Sequence, residues 1–270
     1  MRHSPRSDWC FSPGERGHVG LPAVSSKPER SARVACPILQ SVDAQVLPSD
    51  VLQAAAQVNG VLREQVDDDW TRPAGSLEWD IRSTVEHVAS GIAKYSLYLS
   101  SRVSRFVALR SVAFAEATND DLLWALHSVS LSLAETAAGA PPGARGFHVD
   151  GMADAEGFLS MGCTEILVHG ADVAAGFGVE FEPGEDMCRR VASRLFPWAP
   201  ADTGGWATLL WATGRAALPG QPHVGDSWMW HPAPLAEWDG SIPEDVDARA
   251  WALDPGTGRW QALASPAGEA

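Results

Sequence analysis

Apolar residues recur at helical spacing along four separate stretches of the chain, and these stretches predict four long helices. The first begins near Ser49-Asp50, a pair suited to an N-cap, and continues to Val66. The second begins at Asp80, and its apolar positions alternate in steps of four and three residues, as in a helix packed inside a bundle. These positions are Ile81, Val85, Val88, Ile92, Tyr95 and Leu99.

Two further long helices and two short ones follow. The third is predicted from about Asp120 to Gly139, with Pro141-Pro142 beyond its end. The fourth is predicted from about Met152 to Gly176, with no strand pattern before it. Four consecutive helices favour a four-helix bundle. Shorter helices are expected around Glu185 to Leu195 and around Thr203 to Ala217.

The pattern changes after Pro219-Gly220, where short aromatic runs replace the helical spacing. Two of these runs, residues 251–253 and 259–263, are joined by the turn-forming residues 254–258. This arrangement predicts a β-hairpin.

Three units follow from these patterns. Residues 1–44 are rich in Ser, Pro, Gly and Arg without a sustained period, and we predict a disordered N-terminal extension there. Residues 45–218 are predicted to form the helical bundle. Residues 219–270 are predicted to form a small aromatic-rich C-terminal unit that contains the hairpin.

The fourth predicted helix carries polar residues on the face that should be buried. At about 100° per residue, Glu165, His169 and Asp172 fall on one narrow stripe inside an apolar face. The flanking apolar residues are Leu159, Met161, Ile166, Val168, Val173 and Phe177. A buried carboxylate and imidazole are costly unless they are paired, hydrogen-bonded or bound to a metal. The buried carboxylate and imidazole therefore need a partner, and we favour a divalent metal ion.

The metal hypothesis has three candidate ligands. Glu165 and His169 stand four residues apart, so their side chains leave neighbouring turns of one face. The third is His87 on the second helix, for which a hydrogen-bonded or partly exposed histidine is the alternative. Two histidines and a glutamate are a common set for zinc sites that keep an open position. Asp172 is expected to orient His169, unless it is a capping or surface carboxylate.

Composition narrows the function classes. The 270 residues carry a formal net charge of −14, which argues against a nucleic-acid partner, since that needs a concentrated basic surface. Neither a membrane span nor a secretory signal is recognised, so a cytoplasmic protein without a membrane partner is expected. The four cysteines form no metal-binding or disulfide spacing, and Cys163 is expected to pack in the core. No phosphate-binding loop, dinucleotide-binding glycine motif or serine-hydrolase elbow is present.

Two segments carry a family resemblance: LEWDIRSTVEHV, which contains His87, and GCTEILVHGADVAAGFG, which contains Glu165 and His169. They resemble the metal-binding helices of the DinB-like superfamily, and more closely the N-terminal domain of mycothiol-dependent maleylpyruvate isomerases. The resemblance covers about Ser49 to Gly178. It implies a mainly α fold, a DinB-like four-helix bundle to which this chain adds short helices and a small β-containing C-terminal appendage.

The resemblance also implies a chemistry. The family's three metal ligands map onto His87, Glu165 and His169, and the metal, usually zinc, would activate the small thiol mycothiol as its thiolate. The expected function is thus that of a mycothiol-dependent transferase or isomerase acting on a small electrophile. The alternatives are a non-catalytic metal-binding or stress-response protein, and a metal-free helical interaction module.

The C-terminal part departs from the isomerases. The resemblance implies a second, α/β, sterol-carrier-like domain, but about fifty residues follow Pro219 here, which argues against maleylpyruvate as the substrate. Arg215, within LLWATGRAALPG, is the candidate to meet a substrate carboxylate, and the alternative is an arginine interacting with a helix dipole. His127 is a minor candidate for the bundle interior, while surface or aromatic-packing roles are expected for His223 and His231.

Overall fold

In the computed structural model, the residues described are 45–107, 113, 115–225 and 228–243, together with the backbone of residues 251–253 and 260–262. The predicted disordered extension over residues 1–44 lies outside them. Within the described part, six α-helices and two two-stranded antiparallel sheets form. The helices are α1 (Pro48–Glu64), α2 (Ile81–Ser101), α3 (Asn119–Ala138), α4 (Ala155–Phe177), α5 (Glu185–Leu195) and α6 (Gly205–Ala212). The predicted mainly α architecture is confirmed.

Side-chain caps fix where the bundle helices begin. The Asp80 carboxylate accepts the Ser83 N–H at 2.6 Å at the start of α2, and Asp154 accepts the Gly157 N–H at 2.7 Å at the start of α4. Such bonds satisfy backbone donors that have no partner inside the helix. Helix α1 starts slightly earlier than predicted, because Pro48 occupies its first turn and Asp50 accepts the Leu47 N–H at 2.8 Å.

The predicted bundle seam of α2 is confirmed, since all six of its apolar positions are buried. Helices α1 to α4 pack together around one hydrophobic core, with α2 in contact with both α3 and α4. Helix α4 is buried along nearly its whole length. Any polar side chain on the face of α4 that meets α2 is therefore held inside the bundle.

The predicted direct run from the third helix to the fourth is wrong. A hairpin intervenes, formed by β1 (Arg145–His148) and β2 (Gly151–Asp154), so Met152 lies in a strand and α4 begins at Ala155. The ladder pairs Phe147 with Met152, and Gly151 at the turn has φ 143°, a value that only glycine adopts readily. Four-residue strands give too short a pattern to be seen against the helical periodicity on either side.

The C-terminal elements follow the prediction with one change of length. Helix α5 has the predicted bounds, whereas α6 is shorter than predicted and ends before Gly214, which has φ 75°. Strands β3 (Trp251–Leu253) and β4 (Trp260–Ala262) pair antiparallel and confirm the predicted hairpin. A short 3-10 turn spans Leu235–Glu237, and Trp230 before it is buried in the bundle core. The boundary between residues 218 and 219 stays a prediction.

None of the described helices is both long and apolar enough to cross a membrane.

Candidate metal centre

The three residues proposed as ligands lie together between α2 and α4. His87 projects from α2, and Glu165 and His169 project from successive turns of α4. The Nε2 atoms of both histidines lie 3.5 Å from Glu165 Oε2. One ligand atom from each residue falls within 4.8 Å of the other two. Two segments almost eighty residues apart in the sequence thus form one cluster.

The geometry of the cluster suits a cation better than a set of hydrogen bonds. Glu165 Oε2 is buried and accepts no hydrogen bond from any residue the structure describes. Two ligands of a tetrahedral zinc ion lie about 3.3–3.6 Å apart, given bond lengths of about 2.0–2.2 Å. Both histidine–glutamate pairs have this separation and all three ligand atoms lie within 4.8 Å of one another, so these residues could hold a divalent metal.

The electrostatics of Glu165 keep it ionised. Burial raises its pKa, but hydrogen bonding with His87, the nearness of the two imidazoles and the charge of Arg215 outweigh burial and lower the pKa to about 2. The side chain is 14% exposed and the two imidazoles are 12% and 13% exposed. The cluster is thus a nearly buried anion flanked by imidazoles, with a small opening to solvent.

Asp172 contacts the ring nitrogen of His169 that points away from the cluster. Its Oδ2 lies 3.0 Å from His169 Nδ1 and accepts a hydrogen bond from Arg215 Nη2 at 3.1 Å. Burial raises the Asp172 pKa, but the bond with His169 and the charge of Arg215 bring the pKa below its ordinary value. A carboxylate on Nδ1 keeps the proton on that nitrogen, so Nε2 presents its lone pair to the cluster. Asp172 is neither a cap nor a surface carboxylate.

Tyr95 contacts the second oxygen of Glu165, a role the sequence did not reveal. Its hydroxyl donates to Glu165 Oε1 at 3.4 Å, and burial together with the charge of Glu165 holds the Tyr95 pKa well above its ordinary value. In the sequence Tyr95 reads as one more apolar position of the α2 seam. Its only distinguishing signal is its place eight residues after His87, on the same helix face.

Two ring contacts hold the His87 imidazole in the cluster. The Trp79 ring lies 4.8 Å from the His87 ring, centre to centre. The rings of His87 and His169 meet edge to face at 5.2 Å. These contacts limit the rotation of His87.

His148 is a second buried histidine that sequence reasoning missed. It lies at the end of β1, is 1% exposed, and its ring centre is 5.8 Å from that of Tyr95. Its Nδ1 accepts the Asp150 N–H at 3.2 Å. Burial lowers the His148 pKa to about 3, against the opposing effect of Glu165. Because the hairpin was not predicted, nothing in the sequence placed this residue beside the bundle core.

The remaining candidates lie as follows. Arg215 reaches the site, but through Asp172, and its side chain is 20% exposed. His127, the minor candidate for the bundle interior, does not line it but is exposed on α3 against Trp124. His223 is exposed, as expected, and His231 Nε2 lies 3.2 Å from the Pro234 carbonyl oxygen. Cys163 is fully buried in the core, as predicted.

Comparison with known protein families gives a match over the helical bundle. Residues 51–174 match the family described as the mycothiol maleylpyruvate isomerase N-terminal domain. The matched segment contains His87, Glu165, His169 and Asp172 and ends before Arg215. No curated protein and no solved structure matches the chain.

Proposed function

We propose that this chain, whose residues 51–174 match the mycothiol maleylpyruvate isomerase N-terminal domain family, is a metal-dependent enzyme that uses a small thiol. It binds one divalent ion, zinc by preference, through His87, Glu165 and His169. Mycothiol is the thiol and a small electrophile the second substrate, in a transferase or isomerase reaction. The observation that carries the proposal is the buried Glu165 Oε2, which faces two imidazole nitrogens at 3.5 Å and accepts no hydrogen bond within the described chain.

The donor set suits this chemistry. A divalent ion held by these side chains would stabilise the thiolate, the nucleophilic form of a thiol. Glu165 supplies one negative charge and the neutral imidazoles none, so a dication keeps a net positive charge that attracts a thiolate. Three protein ligands also leave a position open, in contrast to the four of closed structural zinc sites.

The surrounding residues have defined tasks in this proposal. Asp172 fixes the tautomer of His169 so that Nε2 is the ligand atom. Tyr95 holds Glu165 Oε1 in place and leaves Oε2 to the metal. Arg215 is the candidate contact for a carboxylate on the substrate, since its guanidinium is partly exposed while it donates to Asp172 and to the Thr213 carbonyl oxygen.

The thiolate sulfur would form a bond to an electrophilic carbon of the second substrate. If that carbon is part of an activated double bond, addition leaves a single bond that rotates, and loss of the thiolate returns the isomerised substrate with the thiol unchanged. If the new carbon–sulfur bond persists and a proton adds at the neighbouring carbon, the product is a thiol conjugate. Neither the isomerisation nor the conjugation requires an added oxidant or reductant.

The metal-free alternative, an internal hydrogen-bond network, is less well supported. Such a network would supply a donor to the buried carboxylate oxygen, and Glu165 Oε2 has none in hydrogen-bonding geometry among the described residues. A buried acceptor without a donor costs free energy that a bound cation would recover.

The test begins with metal content. Protein purified without added metal is expected to carry about one zinc ion per chain by elemental analysis, and His87→Ala to carry almost none, because two side chains make a poor site. His127→Ala, which changes an exposed histidine outside the cluster, is the matched control and should retain the ion. The metal-loaded protein is then incubated with mycothiol and a panel of electrophiles. Turnover no faster than that of His87→Ala would defeat the catalytic proposal, and a metal-free wild type would defeat the site.

A further inference from the structure

A line of three residues on α2 faces Glu165. His87, Gly91 and Tyr95 follow one another at intervals of four residues, so they share one face over about 12 Å of helix. The residues at the two ends both reach the same carboxylate, His87 Nε2 at Oε2 and Tyr95 Oη at Oε1. Gly91 therefore lies on α2 opposite the Glu165 carboxylate.

Gly91 leaves open space where a side chain would stand. A Cβ added to Gly91 would meet no heavy atom of the described chain within 4 Å, and the residue is partly exposed. Other glycines of the bundle differ, since a Cβ on Gly162 would meet Leu133 at 2.7 Å and one on Gly170 would collide with Val58. Those glycines serve helix packing. Packing does not explain Gly91, which costs α2 stability relative to alanine.

We propose that the space beside Gly91 receives the ligand that occupies the open metal position, and that the missing side chain sets the size of that ligand. The inference rests on the proposed metal site. Because Gly91 stands between His87 and Tyr95 on α2, and both of these residues contact Glu165, we infer that this space adjoins the Glu165 carboxylate. It thus suits a ligand whose donor atom carries an uncharged, slender or flat substituent, because a carboxylate there would face Glu165.

The experiment uses cobalt(II) in place of zinc, because the visible spectrum of cobalt changes when a new ligand binds. Imidazole and 4-phenylimidazole serve as small and large probes of the open position, and neither depends on mycothiol. The ratio of their dissociation constants is measured in wild type, Gly91→Ala and Gly91→Leu. Gly60→Leu is the matched control, since Gly60 is also in a helix with no heavy atom near its Cβ position, but on the exposed side of α1.

In Gly91→Leu we expect the larger probe to lose about tenfold or more in affinity relative to imidazole, since added methylene groups in a fitted pocket have effects of this size. Gly91→Ala should show a smaller loss together with a higher thermal midpoint, because alanine favours helix. Gly60→Leu should keep the wild-type ratio. If Gly91→Leu does not fold, the ratio of the two dissociation constants in Gly91→Ala tests the inference.

The inference is overturned if the ratio in the Gly91 variants equals that of wild type. A wild type that binds no cobalt overturns both the inference and the proposed site. Mycothiol is titrated separately and should produce a thiolate-to-cobalt charge-transfer band. Absence of that band, with the probe ratios as expected, overturns the thiol chemistry of the proposed function and leaves the inference about Gly91 standing.

Discussion

At the scale of single residues, the two oxygens of Glu165 have separate surroundings. Oε1 accepts a hydrogen bond from the Tyr95 hydroxyl, while Oε2 faces the two histidines. A carboxylate held in this way offers one oxygen to a cation in a fixed direction. Tyr95 is therefore a positioning residue, and its effect should appear in metal affinity before it appears in chemistry.

Tyr95→Phe is expected to lower zinc affinity by about tenfold, at the lower end of the range for loss of an outer-shell partner. The fold should persist, because the ring keeps its contacts with Phe158 and His148. The measurement is competition with a chromogenic chelator. Tyr98→Phe is the control on the same helix, since its hydroxyl accepts the Val107 N–H away from the cluster. Equal affinity in both variants would remove Tyr95 from the site.

At the scale of elements, the β1–β2 hairpin brings a histidine into the core that no helix supplies. Gly146 on β1 permits this, since a Cβ there would meet the Tyr98 carbonyl oxygen of α2 at 2.5 Å. The strand can thus approach the helix backbone, and His148 two residues later is buried between Tyr95 and Trp230. The hairpin consequently supplies a ring, that of His148, which packs against Tyr95.

The burial of His148 predicts a pH dependence of stability. Its folded pKa of about 3 lies below the ordinary 6.5, so between these values the unfolded chain binds a proton that the folded chain does not. Stability from this group is complete above pH 6.5 and is lost as the pH falls toward 3, at up to about 1.4 kcal/mol per pH unit. Three charged groups act on His148, namely Asp150, Glu165 and Lys94. The wild type and the histidine variants compared below all keep these three groups.

The measurement is the free energy of unfolding by urea at several pH values between 7 and 4, on metal-free protein. His148→Phe should show a smaller slope against pH than wild type, whatever its absolute stability. His223→Phe, which alters an exposed histidine, should keep the wild-type slope. An unchanged slope in His148→Phe would mean that this histidine titrates alike in the folded and unfolded chain.

At the scale of the whole molecule, Arg194 ties the C-terminal segment to the bundle. This α5 side chain is 2% exposed and donates to the carbonyl oxygens of His231 and Pro232 at 3.1 and 3.2 Å. It also binds the Asp154 carboxylate at 2.7 Å, at the start of α4. One buried guanidinium thereby joins α4, α5 and the segment that carries Trp230.

Arg194→Met is expected to lower the free energy of unfolding by about 2–3 kcal/mol, less than the 3–5 kcal/mol for a fully buried pair, since its carboxylate partners keep about a fifth of their surface exposed. Arg189→Met, five residues earlier on α5, is the control. Its pairs with Glu185 and Asp186 are exposed, so its loss should cost less than about 1 kcal/mol. Urea unfolding of both variants gives the comparison, and equal losses would contradict the anchoring role of Arg194.

Much of the bundle could be predicted because helical periodicity is a local property of the sequence. The α2 seam, the bounds of α5 and the polar stripe of α4 all follow from spacing, and the cost of burying Glu165 pointed to a partner. The β1–β2 hairpin could not be predicted in this way. Its short strands are fixed by contact with α2, which is a long-range interaction, and so His148 was missed with it.

The sequence by itself determined which residue types lie on which helix face, and hence that a carboxylate and an imidazole of α4 would be buried together. Only the tertiary structure decided that His87 meets them, that Tyr95 takes one carboxylate oxygen, that Arg215 is bound to Asp172, and that space remains beside Gly91. The physical reason is that a helix face is set by backbone geometry within a few residues. Distances between helices depend on the packing of the whole core.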